Sequence, residues 1–148
     1  MSNKAVLSFR FTGENIEELN QTVGRLLVLL RQSGLDIYCT LDDEAMFHQQ
    51  KWDAYQLMQY VFQKIDACDT LLVLIRSQDK SEGMGVEFGY ALAKGKKLVV
   101  VKKKGVTTSC IAQLANKLIE YDNIDDIPQK LESIGWTSVP DKVKNPTL

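Results

Sequence analysis

The sequence predicts one α/β domain in which a five-stranded parallel sheet carries helices on both faces. Two uninterrupted apolar runs, TLLVLI at Thr70–Ile75 and KLVVV at Lys97–Val101, are typical of strands that are buried on both faces of a parallel sheet. Three other strand-like runs alternate with segments whose apolar residues recur at helical spacing. Because parallel strands are joined by crossover connections that usually contain a helix, this alternation favours a parallel sheet.

The N-terminal part of the chain predicts a strand, a turn and a helix. The apolar run Ala5–Phe11 predicts the first strand, and Thr12 and Gly13 follow it as a turn. From Ile16 to Leu30 the apolar residues fall at helical spacing, and Gly34 follows them as a terminator. The turn therefore lies at the carboxyl edge of the predicted sheet.

The next part of the chain predicts a strand, a loop and a second helix. Asp36–Leu41 is a short strand-like run, and the polar stretch Asp42–Gln50 has no clear period, which indicates a loop. Trp52–Ile65 carries a helical stripe of apolar residues, and Leu57 and Val61 add apolar surface on another side. A helix that is apolar on two sides needs two packing partners.

The C-terminal half completes the alternation. After the strands Thr70–Ile75 and Lys97–Val101 come a short helix, a fifth strand and a last helix: Ile111–Leu118, Leu118–Tyr121 and Ile127–Ile134. We expect residues 1–135 to form one domain and the polar, proline-containing residues 136–148 to form a flexible tail. The short basic run Lys102–Lys104 is expected to be solvated.

Five strands in this arrangement favour a flavodoxin-like order. In such sheets ligands bind at the carboxyl ends of the strands, near the point where the strand order reverses. The loops after the first and third strands, Phe11–Asn15 and Arg76–Gly85, are therefore the expected walls of a binding site.

Composition excludes several classes of protein. The 148 residues carry 18 basic and 19 acidic side chains, so the chain lacks the excess positive charge that is typical of proteins that bind nucleic-acid polymers. Its three cysteines are far apart and not at the spacing of metal ligands, and the sequence begins without a signal peptide. No apolar run approaches the roughly 20 residues that cross a bilayer. We therefore expect a cytoplasmic protein without metal, cofactor or membrane contact.

The segment SEGMGVEFG, Ser81–Gly89, carries the strongest candidate for chemistry. Gly83 and Gly85 fall at the entry to a helix, whose free amides bind anions, and Glu87 follows about one turn later. Neither a Walker loop nor the G-x-G-x-x-G dinucleotide motif is present. A glutamate near a helix N-terminus also gains about 0.3 to 1 kcal/mol from the helix dipole without any function. Gly89 is expected to be the small residue where the helix meets the sheet.

The longer string SEGMGVEFGYALAKGKKLVVV, Ser81–Val101, resembles the signature of nucleoside 2-deoxyribosyltransferases and the related 2'-deoxynucleoside 5'-phosphate N-hydrolases. Weaker similarity covers the first strand with its F-x-G turn at Phe11–Gly13, and Asp69 before the third strand. In all, the resemblance extends from Ala5 to about Tyr121. It implies the same flavodoxin-like sheet that the periodicity predicts.

The resemblance implies cleavage of the N-glycosidic bond of a (deoxy)nucleoside 5'-monophosphate, by hydrolysis or by base exchange. Glu87 would attack the anomeric carbon, expel the base and hold a glycosyl-enzyme intermediate until water or a second base resolves it. No cofactor is needed for this double displacement. Family members are dimers or larger, and the two-sided helix Trp52–Ile65 fits a homodimer or higher homo-oligomer.

The resemblance also implies which residues bind the substrate. Ser81 stands where the transferases tend to carry aspartate and the monophosphate hydrolases carry serine, which can donate a hydrogen bond to a phosphate. The backbone around Gly83 and Gly85 would assist it. An equally simple interpretation of Ser81 is that of a helix N-cap.

The first strand adds the other wall of this site. Thr12 and Gly13 belong to the F-x-G turn, and Arg10 stands where the hydrolases carry tyrosine. An arginine there can clamp a phosphate with two hydrogen bonds, although a solvated charge at a strand end is an equally simple interpretation. By the same resemblance the stretch after the second strand covers the base, so Asp42, Asp43 and Phe47 are candidate base contacts. His48, the only histidine, is assigned no role.

One departure from the family pattern bears on activity. The family carries an aspartate eight positions before the equivalent of Asp69, where it helps the base to leave, and this chain has Val61 there. General acid assistance is typically worth about 100 to 10,000-fold in rate. Two alternatives to a working enzyme of this family therefore stay open: a non-catalytic nucleotide-binding module, and an NAD-cleaving domain of Toll/interleukin-receptor type.

Overall fold

The computed structural model describes residues 4–107 and 110–135; the tail predicted at 136–148 lies outside the described residues. Its five strands form one parallel sheet in the order β2-β1-β3-β4-β5. The strands are β1 Lys4–Phe9, β2 Asp36–Cys39, β3 Thr70–Ile75, β4 Lys97–Lys103 and β5 Lys117–Tyr121. The predicted flavodoxin-like α/β fold is thereby confirmed.

Helices cover both faces of the sheet. They are α1 Ile16–Leu19, α2 Arg25–Gln32, α3 Glu44–Gln49, α4 Ala54–Asp66, α5 Glu82–Ala93, α6 Cys110–Leu114 and α7 Ile127–Ser133. One core lies between the sheet and the helices α1, α2 and α7, and the other lies between the sheet and the helices α4 and α5. Alternate residues of the three inner strands β1, β3 and β4 enter one core or the other, which explains why these strands are largely apolar.

The stretch Asp42–Gln50, predicted to be a loop, is instead helical. A 3₁₀ helix at Thr40–Asp43 follows β2 and leads directly into α3. Neither helix contains a fully buried residue, so the sequence shows no continuous apolar stripe at helical spacing. The long helix predicted from Ile16 to Leu30 is also divided, because a π-helical segment at Asn20–Gly24 joins α1 to α2.

Two further expectations about single residues are wrong. Lys102 is buried, because β4 is an inner strand and Lys102 lies between Ile75 of β3 and Glu120 of β5. Its ammonium group donates to the carbonyl of Val106 and lies 3.4 Å from a carboxylate oxygen of Glu120. Gly89 is exposed, and an added Cβ would meet no atom within 4 Å, so it does not mark a close approach of α5 to the sheet.

The segments that carry the candidate site residues meet near the carboxyl edge of the sheet. The strands β1 and β3 are neighbours and end near this edge, with Phe9 beside Leu74. The segment that follows β3 leads to Ser81, at which α5 begins. Within the described ranges, no helix has the length and apolar character needed to cross a membrane.

Candidate active site

Glu87 lies in the second turn of α5 and points into the protein. Met84, Phe88 and Ala91 of the same helix are buried against the sheet, and Glu87 itself is only 9% exposed. Its Oε1 accepts a hydrogen bond of 2.8 Å from the hydroxyl of Ser8 on β1. The carboxylate is thus held from two sides, by a helix and by a strand.

Burial changes the acidity of this carboxyl group. Loss of solvent around Glu87 disfavours its charged form and raises its pKa from the ordinary 4.5 to about 7, while the hydrogen bond from Ser8 acts in the opposite direction. A carboxyl group whose pKa lies close to neutral pH can exist in either protonation state during a reaction. This property is concentrated at catalytic positions, although structural burial can also produce it.

Ser8 is a component of the site that the sequence reasoning missed. It is 2% exposed on β1, and it lies on the same face of the sheet as Val6 because side chains alternate along a strand. A signal for it exists in the sequence, since Ser8 is the one polar residue within the apolar run AVLSF. A hydroxyl inside a buried strand requires a partner, and here the partner is Glu87.

Ser81 is the N-cap of α5. Its side-chain oxygen accepts a 3.2 Å hydrogen bond from the backbone N–H of Met84, as the N-cap interpretation requires. A serine hydroxyl retains one proton to donate when it accepts in this way, so the cap does not prevent a contact with a ligand. The N–H of Gly85 is bonded to the carbonyl of Ser81, whereas the first-turn amide of Gly83 has no acceptor within the helix by position.

Arg10 joins the two loops that flank the carboxyl edge. Its guanidinium lies 2.5 Å from the carboxylate of Glu14 and 3.9 Å from that of Asp79, and its Nε donates to the carbonyl of Lys80 at 3.3 Å. The Arg10 side chain is about one quarter exposed, so it is not a freely solvated charge. It lies next to Ser81, because Lys80 immediately precedes that residue.

The turn after β1 supports Arg10. Gly13 has a backbone φ of +82°, in the left-handed region that favours glycine, and a Cβ there would lie 3.2 Å from a guanidinium nitrogen of Arg10. Thr12 is exposed beside it. The turn therefore lets the chain pass close to the arginine.

A cavity of about 590 Å³ borders the proposed anion-binding residues. Arg10, Ser81 and Met84 line one part of it, and the loop after β3 lines much of the rest. Glu87 and Ser8 are not among its lining residues, so this cavity alone does not define the site.

A second group of side chains comes from β2, from the helical segment that follows it, and from α4 and the residues just before it. The hydroxyls of Tyr38 and Tyr60 both donate to Oδ2 of Asp43, at 2.8 and 3.2 Å. The rings of Phe47 and Trp52 contact the ring of Tyr60. We call the four rings of Tyr38, Phe47, Trp52 and Tyr60 the aromatic cluster.

Of the three candidate base contacts, Phe47 is part of the aromatic cluster, Asp43 is hydrogen-bonded to two of its tyrosines, and Asp42 contacts neither. Asp42 forms an ion pair of 2.6 Å with Arg31 of α2, outside the cluster. Val61, which stands where the family acid is expected, is 1% exposed and belongs to the core beneath α4. A side chain at that position faces the sheet, whereas the neighbouring Tyr60 reaches Asp43.

Comparison at the sequence level identifies one family. Residues 9–124 match the sequence model of the family described as Nucleoside 2-deoxyribosyltransferase, a range that contains both Arg10 and the whole segment Ser81–Gly89. No individually curated protein matches the sequence.

Solved structures with the same fold agree with that match. BcmB, a CMP N-glycosidase of Clostridium botulinum, has a TM-score of 0.65 and 19% sequence identity over 88% of this chain and 98% of its own. A 2-deoxyribosyltransferase of Bacillus psychrosaccharolyticus has a TM-score of 0.66 and 18% identity over 96% and 99% of the two chains. A conserved protein of Enterococcus faecalis V583 has a TM-score of 0.61 and 13% identity over 90% and 99%. At such identities the likeness establishes the fold.

Proposed function

We propose, because the chain belongs to the nucleoside 2-deoxyribosyltransferase family, that it cleaves the N-glycosidic bond of a nucleoside 5'-monophosphate with Glu87 as the nucleophile. The observation that carries this proposal is the buried carboxyl group of Glu87, which has a single hydroxyl partner among the described residues and a pKa of about 7. Such a group is costly to bury, and catalysis is a reason to retain it. One structural neighbour is named as a CMP N-glycosidase, which fits a monophosphate substrate.

The reaction follows a double displacement. The ionised Glu87 carboxylate attacks the anomeric carbon as the carbon–nitrogen bond breaks, and the electron pair of that bond leaves with the base, which takes up a proton from solvent water. The product is a glycosyl ester of Glu87 and a free base. Water, or the nitrogen of a second base, then attacks the same carbon, gives up one proton to the solvent and releases Glu87 as a carboxylate.

Ser8 has a positioning role in this scheme. Its hydroxyl holds Oε1 of Glu87 at 2.8 Å, which fixes the plane of the carboxylate and leaves Oε2 to form the bond to the sugar. The same hydrogen bond favours the ionised form, and that form is the one that attacks. A residue that acts through Glu87 in this way need not touch the substrate.

The phosphate end of the substrate is assigned to Arg10 and to the start of α5. The guanidinium of Arg10 lies beside the N-cap Ser81, and both border the same cavity. A phosphate here would meet a cation, a serine hydroxyl and the first-turn amide of Gly83, the combination that a helix N-terminus offers to anions. It would compete with Glu14 for Arg10.

The test is release of free base by the purified protein. A panel of ribo- and deoxyribonucleoside 5'-monophosphates and the matching nucleosides would be incubated with the protein and separated by chromatography. We expect release from monophosphates and its loss, by at least about 1000-fold, in Glu87→Gln, because that variant lacks the nucleophile. Glu132→Gln, on the exposed side of α7, is the matched control and should retain activity.

A non-catalytic nucleotide-binding module is the second candidate, and burial of Val61 in the core favours it. The valine side chain at that position has no proton to donate to a leaving base. This candidate predicts that a monophosphate raises the melting temperature without turnover, because a ligand that binds only the folded state stabilises it. Base release that is abolished in Glu87→Gln would exclude it.

A further inference from the structure

Asp43 is a carboxylate held in place by two tyrosines from different elements. It ends the 3₁₀ helix that follows β2, and Tyr38 on β2 and Tyr60 on α4 both donate their hydroxyl protons to its Oδ2. Two phenols on one carboxylate oxygen fix the orientation of the group. Its other oxygen, Oδ1, takes part in neither bond.

Flat aromatic surfaces surround this carboxylate. The ring centroids of Phe47 and Trp52 are 5.1 Å apart, and those of Trp52 and Tyr60 are 5.3 Å apart. All four rings of the aromatic cluster are only partly buried, so part of each surface stays accessible. Aromatic faces of this kind are what a nucleobase stacks on in proteins that bind single bases.

The aromatic cluster and Glu87 lie on the same face of the sheet. Tyr38 pairs with Val6 of the neighbouring strand β1, and Ser8 is the next residue of β1 on that face. Ser8 is the partner of Glu87. A nucleotide whose sugar meets Glu87 can therefore extend its base over the β1–β2 part of the edge, toward Asp43.

The polar groups of the cluster offer an acceptor. An ionised carboxylate can only accept hydrogen bonds, and the indole N–H of Trp52 is already bonded to the side chain of Gln50 at 3.0 Å. The ammonium of Lys64 lies over the rings of Tyr38 and Tyr60, at 4.8 and 5.0 Å from their centroids. A base that enters the cluster edge-first thus meets the Oδ1 acceptor of Asp43.

We propose that Asp43 selects nucleotides whose base carries an exocyclic amino group, cytosine or adenine, over those with a keto group at the same position. The amino group of these bases is a hydrogen-bond donor, whereas the equivalent oxygen of uracil or hypoxanthine is an acceptor and would be repelled by the carboxylate. This inference rests on the proposed function, because it assigns the base end of the same substrate. It makes Asp43 a specificity residue that does not donate the proton to the leaving base.

The experiment compares pairs of nucleotides that differ in this one group. The ratio of kcat/KM for CMP over UMP, and for AMP over IMP, would be measured in the ribose and deoxyribose series for wild type and for Asp43→Asn. The phenols hold the carbonyl of the new amide, so its NH₂ replaces the Oδ1 acceptor with a donor. We expect the amino-over-keto ratio to fall by about 10- to 100-fold, the usual effect of one hydrogen bond to a charged group.

A matched control separates this effect from a general one. Asp66→Asn removes another carboxylate that accepts from a tyrosine hydroxyl, that of Tyr90 at 2.8 Å, outside the aromatic cluster. The ratio should not change in Asp66→Asn. If Asp43→Asn does not fold, Asp43→Ser also removes the carboxylate, and we expect it to bring the ratio down in the same direction.

The two proposals fail differently. A ratio that stays the same in Asp43→Asn or Asp43→Ser, with turnover intact, overturns the role of Asp43 and leaves the proposed function standing. If no nucleotide is cleaved, the proposed function fails, and thermal shift decides on Asp43 alone. Tighter binding of CMP than of UMP that is lost in Asp43→Asn then supports the inference. Equal binding, or no binding of either, overturns it.

Discussion

A buried carboxyl group such as that of Glu87 can serve catalysis or structure, and the groups that bind it help to distinguish the two roles. A structural carboxylate is usually held by a cation or by several donors, whereas in the part of the chain that the structure describes Glu87 accepts one hydrogen bond, from the hydroxyl of Ser8. Its high pKa arises mainly from burial. The group therefore stays close to the point at which it gains or loses its proton at neutral pH.

The pH dependence of activity tests the role of Ser8 at the level of one hydrogen bond. Since Glu87 attacks as a carboxylate, kcat/KM should rise with pH to a midpoint near its pKa of about 7. Ser8→Ala removes the hydrogen bond that lowers this pKa, so the midpoint should move up by about one pH unit. Ser33→Ala, at the end of α2, is the control. An unchanged midpoint in Ser8→Ala would contradict the positioning role.

Stability should depend on pH through the same residue. Below about pH 4.5 Glu87 is protonated in both the folded and the unfolded chain. Its burial then carries no cost of burying a charge, so the contribution of Glu87 to the free energy of unfolding is at its largest. As pH rises from 4.5 through 7 the unfolded chain releases that proton first, so stability falls, by roughly 3 kcal/mol in all at about 1.4 kcal/mol per pKa unit. Urea unfolding at pH 5 and pH 8 should show a smaller loss in Glu87→Gln than in wild type. Equal losses would show that Glu87 is not the group involved.

At the level of elements, the start of α5 places the N-cap of the helix at the proposed phosphate site. Ser81 caps the helix through its oxygen and lies next to Lys80, whose carbonyl accepts from Arg10. The two interpretations of Ser81 that the sequence leaves open are therefore compatible. They can be separated only by a substitution that preserves one and disturbs the other.

Ser81→Asp is that substitution. Aspartate is as good an N-cap as serine, so the melting temperature should change little, whereas Ser81→Ala should lose about 1 kcal/mol and a few degrees. If the phosphate binds here, the carboxylate of Ser81→Asp repels it, and KM for monophosphates should rise at least tenfold while free nucleosides are less affected. Calorimetry and steady-state kinetics on both variants measure the two effects. An unaltered KM in Ser81→Asp would remove the phosphate from this position.

Two adjacent residues of α4, Tyr60 and Val61, have different roles. Val61 lies in the core beneath α4, and the hydroxyl of Tyr60 in the same turn donates to the carboxylate of Asp43, in the 3₁₀ helix after β2. Position 61 is thus a packing position in this chain. The polar contact from this turn of α4 to the proposed base-binding residue Asp43 is made by a phenol hydroxyl.

At the scale of the whole molecule, the sequence predicts the sheet because burial on both faces leaves a direct pattern. An uninterrupted apolar run such as TLLVLI on β3 indicates a strand that is buried on both faces, because predicted helices lie between it and the other strand-like runs. The surface helix α3 leaves no such pattern, because none of its residues is fully buried. The motif predicts Glu87 as the candidate nucleophile, but the partner of Ser8 lies 79 residues away along the chain. Asp43 acquires its partners through contacts with one tyrosine of β2 and one of α4.

The outer surface of α4 and α5 leads to a prediction about assembly. Tyr55 and Phe62 lie seven residues apart on one side of α4, and Val86 and Tyr90 lie four apart on α5. The rings of Phe62 and Tyr90 stack at 4.1 Å, which joins the two helices into one surface. Tyr55 is 72% exposed and Val86 43%, so apolar groups at both helices face solvent in a single chain.

We expect this surface to bind a second copy of the chain. A two-fold dimer would cover Tyr55 and Val86 of both subunits, and apolar burial of this kind stabilises homodimers. Light scattering at micromolar concentration should give twice the 16.7 kDa of one chain, and the double substitution Tyr55→Arg and Val86→Arg should return the mass to that of a monomer, because four added charges oppose each other across the dimer axis. Val28→Arg, on the solvent-exposed side of α2, is the control, and this variant should stay dimeric. A monomeric wild type would refute the interface, and a dimer unaffected by the double substitution would place it elsewhere.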